Sequence, residues 1–173
     1  MVFEDCSIVE RKEYNRELYE KIFNITNKPR KILDIGCGLN PLYFPYKDIY
    51  YLASDINKDV LKKIKKYFRK NKIKGEVFYL DIKDLDEIKN LNEVDIVFIF
   101  KVLDLLKNNK KAVVEIIKNL KTKFIVVSFA TKTVYGKRMK NPKRKWFEIV
   151  LKKLNYKFKI LRFYNESFYL IKR

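Results

Sequence analysis

The sequence predicts an α/β protein built on a doubly wound, mostly parallel, seven-stranded sheet, with an antiparallel strand at the C-terminal end and one helix ahead of the first strand. Three features predict it. Short apolar runs alternate with amphipathic segments of helical spacing along most of the chain. Asp95 to Phe100 is apolar after its first residue, as in a parallel strand covered on both faces. The chain closes on two strand-like runs joined by Tyr164-Asn165-Glu166, which reads as a hairpin.

Each element follows from its residues. Between Glu10 and Ile25 the apolar positions Tyr14, Leu18, Ile22 and Ile25 define one amphipathic helix, which Asn27-Lys28-Pro29 stops. Lys31 to Ile35 is the first strand, followed by the turn Gly36-Cys37-Gly38-Leu39-Asn40-Pro41. Tyr50 to Ser54 is a strand ending at Asp55, and Asn57 or Asp59 caps a helix from about 59 to 70 with Val60, Leu61, Ile64 and Phe68 inward. Val77 to Leu80 is a strand ending at Asp81, and Asp95 to Phe100 is the next. Lys111 to Leu120 is helical, Phe124 to Phe129 is a buried strand, and Asn141-Pro142 opens a helix to about Leu154. Lys157 to Phe163 and Ser167 to Ile171 complete the sheet.

The 173 residues carry 40 Lys+Arg against 21 Asp+Glu, a formal charge of +19, and no His. Length favours one domain, 1–173, with 1–30 a helical appendage and 31–173 the core; such a chain buries roughly 70% of its unfolded surface. Hydrophobic residues at 47% exclude a disordered basic tail. The lack of His removes the commonest metal ligand and the Ser-His and Cys-His nucleophile pairs, so no metal is expected. Two cysteines, Cys6 and Cys37, make no disulfide framework. With no basic and apolar leader and no long apolar run, the sequence reads as that of a soluble cytoplasmic protein. Abundant Lys, Glu and Ile with no Gln fits heat adaptation, that is, a thermophilic source.

In open α/β sheets ligands bind beyond the carboxyl ends of the strands, where strand order reverses. The first strand leads there into Asp34-Ile35-Gly36-Cys37-Gly38. A dinucleotide turn wants a third glycine, but position 41 is Pro, and a carboxylate beside the turn repels a diphosphate. A cationic sulfonium ligand with an amino group suits Asp34 better. Asp55 is placed to accept from two ribose hydroxyls, and Asp81 from an adenine amine.

These residues resemble the first motif of the class I S-adenosylmethionine-dependent methyltransferases, whose sheet is Rossmann-like. The longer stretch Asp34-Ile35-Gly36-Cys37-Gly38-Leu39-Asn40-Pro41-Leu42 is similar to that of the aminoglycoside-resistance methyltransferases acting on guanine N7 of small-subunit ribosomal RNA. Ala53-Ser54-Asp55-Ile56, Phe100-Lys101-Val102-Leu103, Val127-Ser128-Phe129 with Lys132, Gly136-Lys137-Arg138-Met139 and Asn165-Glu166 extend the likeness from about Glu10 to Arg173. The resemblance implies S-adenosylmethionine as cofactor, held by Arg11, Asp34, Gly36, Cys37, Gly38, Asn40, Asp55, Ile56, Asp81 and Ile82. Cys37 reads as a small packing residue within that turn, and Arg11 as the partner of the cofactor's carboxylate. Lys101 is the candidate catalytic residue, positioning substrate phosphate or base.

The resistance enzymes carry a long helical N-terminal region that helps dock the subunit, whereas about 30 residues precede the first strand here. Guanine N7 offers a lone pair with no proton to remove, so methyl transfer from a sulfonium needs proximity and orientation rather than a general base. Another RNA position, tRNA or a small molecule remain alternative acceptors. A non-catalytic basic RNA-binding or ribosome-assembly protein on the same scaffold is a further alternative.

The positive charge is uneven. Residues 60–75 hold eight Lys/Arg and no acid, on the outer face of a helix, and residues 131–147 hold seven and no acid. The last 43 residues contain 14 basic and 2 acidic groups, so +12 of the +19 lies in a quarter of the chain. Beside a ligand edge such cations draw in phosphates without reading bases. The RNA-contact candidates are Lys132, Tyr135, Lys137, Arg138, Lys140, Lys143 and Arg144, with Tyr135 able to stack on an extruded base. The partner expected is RNA, from the ribosomal small subunit.

Overall fold

A computed structural model describes residues 13–133, 137, 139, 142–163 and 165–173. Helix α1 (Asn15–Thr26) precedes β1 (Lys31–Ile35), a 3-10 turn (Asn40–Tyr43) and β2 (Tyr50–Asp55). Then come α2 (Lys58–Asn71), β3 (Gly75–Tyr79), α3 (Leu85–Asn90), β4 (Ile96–Phe100) and a second 3-10 turn (Leu103–Leu106). Helix α4 (Lys110–Asn119), β5 (Phe124–Ala130), α5 (Lys145–Lys153), β6 (Lys157–Arg162) and β7 (Glu166–Lys172) follow.

The seven strands lie in the order β3-β2-β1-β4-β5-β7-β6. Strand order reverses between β1 and β4, which pair in parallel with Ile32 beside Ile96 and Asp34 beside Phe98. Strand β7 enters antiparallel between β5 and β6, setting Ala130 beside Glu166 and Arg162 beside Ser167. The sheet is thus mostly parallel, as expected, with one antiparallel strand at the C-terminal side.

Two apolar layers sandwich it. On one face α1 and α2 deliver Leu18, Tyr19, Ile22, Ile64 and Phe68 onto Ile32, Tyr51, Phe98 and Phe100. On the other, α3, α4 and α5 deliver Ile88, Val113, Ile117, Phe147 and Leu151 onto Leu33, Val97, Ile99, Val127 and Tyr169. Every residue of β4 is buried, which explains its unbroken apolar run. Each such side chain removed from water contributes about 1.5–3 kcal/mol.

Local chemistry sets the boundaries. Asn57 caps α2, its side chain accepting from the backbone N–H of Asp59 and Val60, and Lys72 closes the helix in the left-handed region. Asp84 caps α3 likewise, accepting from Asp86 and Glu87. That helix was not expected: six residues are too few to show a period, and only its cap signals it. Three further boundaries differ. Helix α1 starts at Asn15 and not at Glu10, since among the described residues Glu13 and Tyr14 form a turn. Strand β3 starts at Gly75 and ends at Tyr79, so Asp81 lies two residues past the strand tip. Helix α5 starts at Lys145, because Arg144 stands in a non-helical conformation with its side chain turned inward.

Candidate active site

At the carboxyl ends of β1, β2, β3 and β4 a cavity of about 270 Å³ opens, lined by Gly36, Asp55, Ile56, Asp81, Ile82, Lys83, Val102 and Leu105, with Ile35, Leu80 and Leu106 behind them. It lies at the reversal of strand order, where a doubly wound sheet holds its ligands. The loop entering it depends on glycine. Gly36 has φ 65, and a Cβ there would sit 2.5 Å from Val102 Cγ2, so the β1 exit presses against the β4 exit as no other residue allows. Gly38 also has positive φ, and its N–H donates to Asp55 Oδ2 at 2.9 Å.

Asp55 is the organising carboxylate. Its Oδ2 holds Gly38 and its Oδ1 accepts from Asn57 N at 2.8 Å, joining the glycine turn to the α2 cap. An ionised carboxylate accepts about four hydrogen bonds, so two backbone donors leave capacity toward the cavity. Ile56 beside it is 59% exposed and Leu105 across from it 79% exposed. Large apolar side chains bared at a cavity mouth offer walls to a flat apolar ligand. Asp81 is half-buried and makes an Asx turn, Oδ1 accepting from Lys83 N at 2.9 Å.

Four expected residues do not line this cavity. Asp34 is fully buried on the α1 face, with Oδ2 accepting from Tyr51 Oη at 2.5 Å and from Asn40 Nδ2 at 2.8 Å. It therefore braces the turn from beneath instead of facing a cationic ligand, and Asn40 serves the same brace. Burial, and then the Asp34 charge, pushes the Tyr51 phenol well above its ordinary pKa, so it stays a donor. Cys37 is 4% exposed, and burial with the charges of Asp34 and Asp55 raises its thiol too, keeping it protonated and inert. That agrees with its reading as a packing residue. Gly38 acts through Asp55. Arg11 lies outside the described residues.

The β4 exit carries a second, polar constellation. Lys101 stands at φ 61, a left-handed conformation costly for a side-chain-bearing residue. Its N–H donates to Ser128 O at 3.0 Å and lies 3.1 Å from Ser128 Oγ. Its Nζ is 3.5 Å from Oε2 of Glu166, which is wholly buried. Glu166 also accepts from Ser128 Oγ and from Tyr14 Oη, and Tyr14 Oη donates to Asn165 Oδ1 at 2.7 Å. Ser128 and Glu166 fall within the stretches of family likeness, but the sequence assigns neither of them a role; what brings them together is the antiparallel pairing of β5 with β7.

Past β5 the basic loop is held at this edge. Thr131 N donates to Asn165 O, Met139 N to Thr131 O, and Thr133 N to Lys137 O. Lys137 and Lys143 are exposed and Lys132 is half-buried. Tyr135, Arg138 and Lys140 lie outside the described residues. Arg144 corrects the expectation of RNA contact: its guanidinium is buried and grips Asp104 through Nε at 3.0 Å and Nη2 at 2.8 Å. It also donates to Ala130 O and lies over the Phe129 ring. A forked cation so committed has little left for phosphate. Among the described residues no cluster of three or more His, Cys, Asp or Glu could hold a metal ion, and no helix is long and apolar enough to cross a membrane.

Residues 2–171 match the model of a protein family described as ribosomal RNA methyltransferase (FmrO). The chain is 33% identical over 129 residues to a 16S rRNA (guanine(1405)-N(7))-methyltransferase of Proteus mirabilis, covering 70% of this chain and 44% of that protein. It is 28% identical over 176 residues to a protein of the same name from Frankia casuarinae, covering 97% and 61%. The chain thus spans about half the length of the curated relatives it matches. Among solved structures it superposes on the 16S rRNA methylase RmtB with a TM-score of 0.76 at 27% identity, covering 96% of this chain and 65% of that one. For the 16S rRNA methylase ArmA the TM-score is 0.76 at 27% identity, covering 94% and 84%.

Proposed function

Since the chain belongs to the FmrO family of ribosomal RNA methyltransferases, we propose that it is an S-adenosylmethionine-dependent enzyme that methylates structured RNA, with ribosomal RNA as substrate and guanine N7 as the accepting atom. The observation that carries this reading is the cavity at the reversal point of the sheet, where Asp55 is fixed by two backbone donors between apolar walls. That donor set fits the cofactor. Asp55 is suited to the ribose hydroxyls, Asp81 to the adenine amine, and Ile56 with Leu105 to the faces of the base.

S-adenosylmethionine, when bound, supplies a methyl group already activated by a sulfonium. The chain's own residues then have to position the acceptor and exclude water. Guanine N7 carries no proton, so the absence of His is no handicap. Lys101, which is held at the β4 exit by Ser128 and Glu166, in this reading holds a phosphate or a guanine oxygen of the acceptor nucleotide. Exposed Lys137 and Lys143 neutralise neighbouring phosphates without reading sequence. Residues 1–173 act as one domain in this reading, and the site of action is the cytoplasm, where ribosomal RNA resides.

The test is to incubate the protein with radiolabelled cofactor and, in parallel, small ribosomal subunits, free subunit RNA, tRNA and a metabolite pool, then to digest and identify the labelled nucleoside. Label in ribosomal RNA as 7-methylguanosine is the expected result. Label in tRNA or a metabolite alone would reassign the acceptor, and no label in any arm would remove the enzymatic reading.

A further inference from the structure

Two strands along the same edge from Lys101 lies a cavity the methyl-transfer site does not use. It measures about 240 Å³ and forms where β5 exits, β6 ends and β7 begins. Half-buried Ile160 and Phe163 line it above the almost wholly buried Tyr169, together with two hydroxyl residues, Thr131 and Ser167. Lys143 and Arg162 occupy the rim, both exposed, and neither has an ion-pair partner among the described residues. No carboxylate is among the described residues that line it.

We propose that this cavity is a nucleotide subsite, which takes an unpaired nucleotide flanking the acceptor in the same RNA strand. The proposal rests on the RNA-methyltransferase reading above and names a further contact of that substrate. A ligand for this place must be apolar and flat on one side and anionic on the other. A single nucleotide has that chemistry: its base covers Ile160 and Phe163, its ribose reaches the hydroxyls of Thr131 and Ser167, and its phosphate meets Lys143 and Arg162. Size limits the occupant to about one such unit, since pockets for drug-sized ligands run to about 300–1,000 Å³.

Position argues the same way. Adjacent strands are about 4.8 Å apart, so β7 lies about 10 Å from β4 and about 19 Å from β2. The cavity is therefore separate from the one at Asp55, yet within reach of a strand whose neighbouring nucleotide sits at Lys101. It lies on the α5 face of the sheet, whereas Ser128 and Glu166 point to the α1 face. The pairing of Arg144 with Asp104 beneath the rim leaves Lys143 and Arg162 as the cations available there.

The double variant Lys143→Ala/Arg162→Ala alters two exposed side chains and tests the subsite through binding of a small-subunit RNA fragment across a salt series. Each lost phosphate contact should flatten log K against log salt by about 0.7, and the pair should weaken binding by about tenfold at low salt. Affinity for S-adenosylmethionine and the melting temperature should not change. An unaltered salt slope in a protein that still methylates RNA would overturn the subsite and the phosphate contact given to Lys143, and would leave the methyltransferase reading standing. Failure of the unmodified protein to bind RNA would overturn both the subsite and the reading beneath it. AMP binding as tight as the RNA fragment, and lost in the double variant, would give the cavity to a free nucleotide and also overturn the proposal.

Discussion

Lys101 is tied to Glu166 twice. Its ammonium lies 3.5 Å from Glu166 Oε2, and its backbone N–H meets Ser128 Oγ, which donates to Glu166 Oε1. A left-handed lysine is thereby held at both ends by one buried carboxylate. Strain of this kind, about 1–3 kcal/mol, persists only where surrounding structure enforces it. Glu166 is in this account a positioning residue that acts through Lys101.

Glu166→Gln keeps the shape and removes the charge. The expected result is a fall of at least about tenfold in the single-turnover methylation rate, 1.4 kcal/mol of barrier, with cofactor affinity unchanged. Lys101→Ala should show the same pattern, and combining the two should add little. Equal losses in cofactor binding would show that the pair merely supports the fold.

The contact between Gly36 and Val102 predicts a second pattern. Gly36→Ala forces a left-handed alanine, costing about 1–2 kcal/mol, and drives its methyl into Val102 for about 1–3 kcal/mol more. Adding Val102→Ala relieves the clash but not the backbone cost. Urea denaturation of the two single variants and the double should show favourable coupling of about 1–3 kcal/mol. Simple additivity would mean that the β1 and β4 exits are not in contact.

Arg144 separates structure from RNA binding. Asp104 keeps 31% of its side chain exposed, so removing Arg144 leaves a carboxylate that water still reaches and costs about 1–3 kcal/mol, less than breaking a fully buried pair. Arg144→Ala should therefore lower the melting temperature by about 2–12 °C in a chain of this length. The salt slope of RNA binding should stay as it was. A shallower slope with an unchanged melting temperature would return Arg144 to the RNA surface.

Tyr169 gives a pH signature. Burial first, and then its hydrogen bond to Glu148, raises its phenol from 10.0 to about 12. The neutral form is favoured in the folded protein, so this stabilisation is complete below pH 10 and lost as pH rises through about 12. Ultraviolet titration should show tyrosines ionising late, in step with unfolding, and Tyr169→Phe should reduce the loss of stability over that interval. Ionisation of Tyr169 at its ordinary value in the folded protein would contradict the packing seen at α5.

Much of this was legible in the sequence because it is local. Alternating runs marked the strands, Asn57 or Asp59 marked the α2 cap that the structure gives to Asn57, and the glycines of 36–38 marked the edge where the cavity opens. What was not legible depends on side-chain direction or on distant pairing. Asp34 and Asp55 both sit at strand ends, yet one turns under the sheet to Tyr51 and the other lines the cavity. Arg144 lies in a run of surface cations and differs only because Asp104, 40 residues earlier, waits in the second 3-10 turn. Glu166 meets Lys101 because β7 enters antiparallel beside β5, a register that no short window of sequence contains.

A crystal grown with S-adenosylhomocysteine tests the central claim most directly. The account predicts the adenosine in the cavity between Ile56 and Leu105, with both ribose hydroxyls within hydrogen-bonding distance of the Asp55 carboxylate, and loss of that density in Asp55→Ala crystals of unchanged fold. Adenosine bound away from Asp55, or a closed cavity in a protein that still methylates RNA, would contradict it.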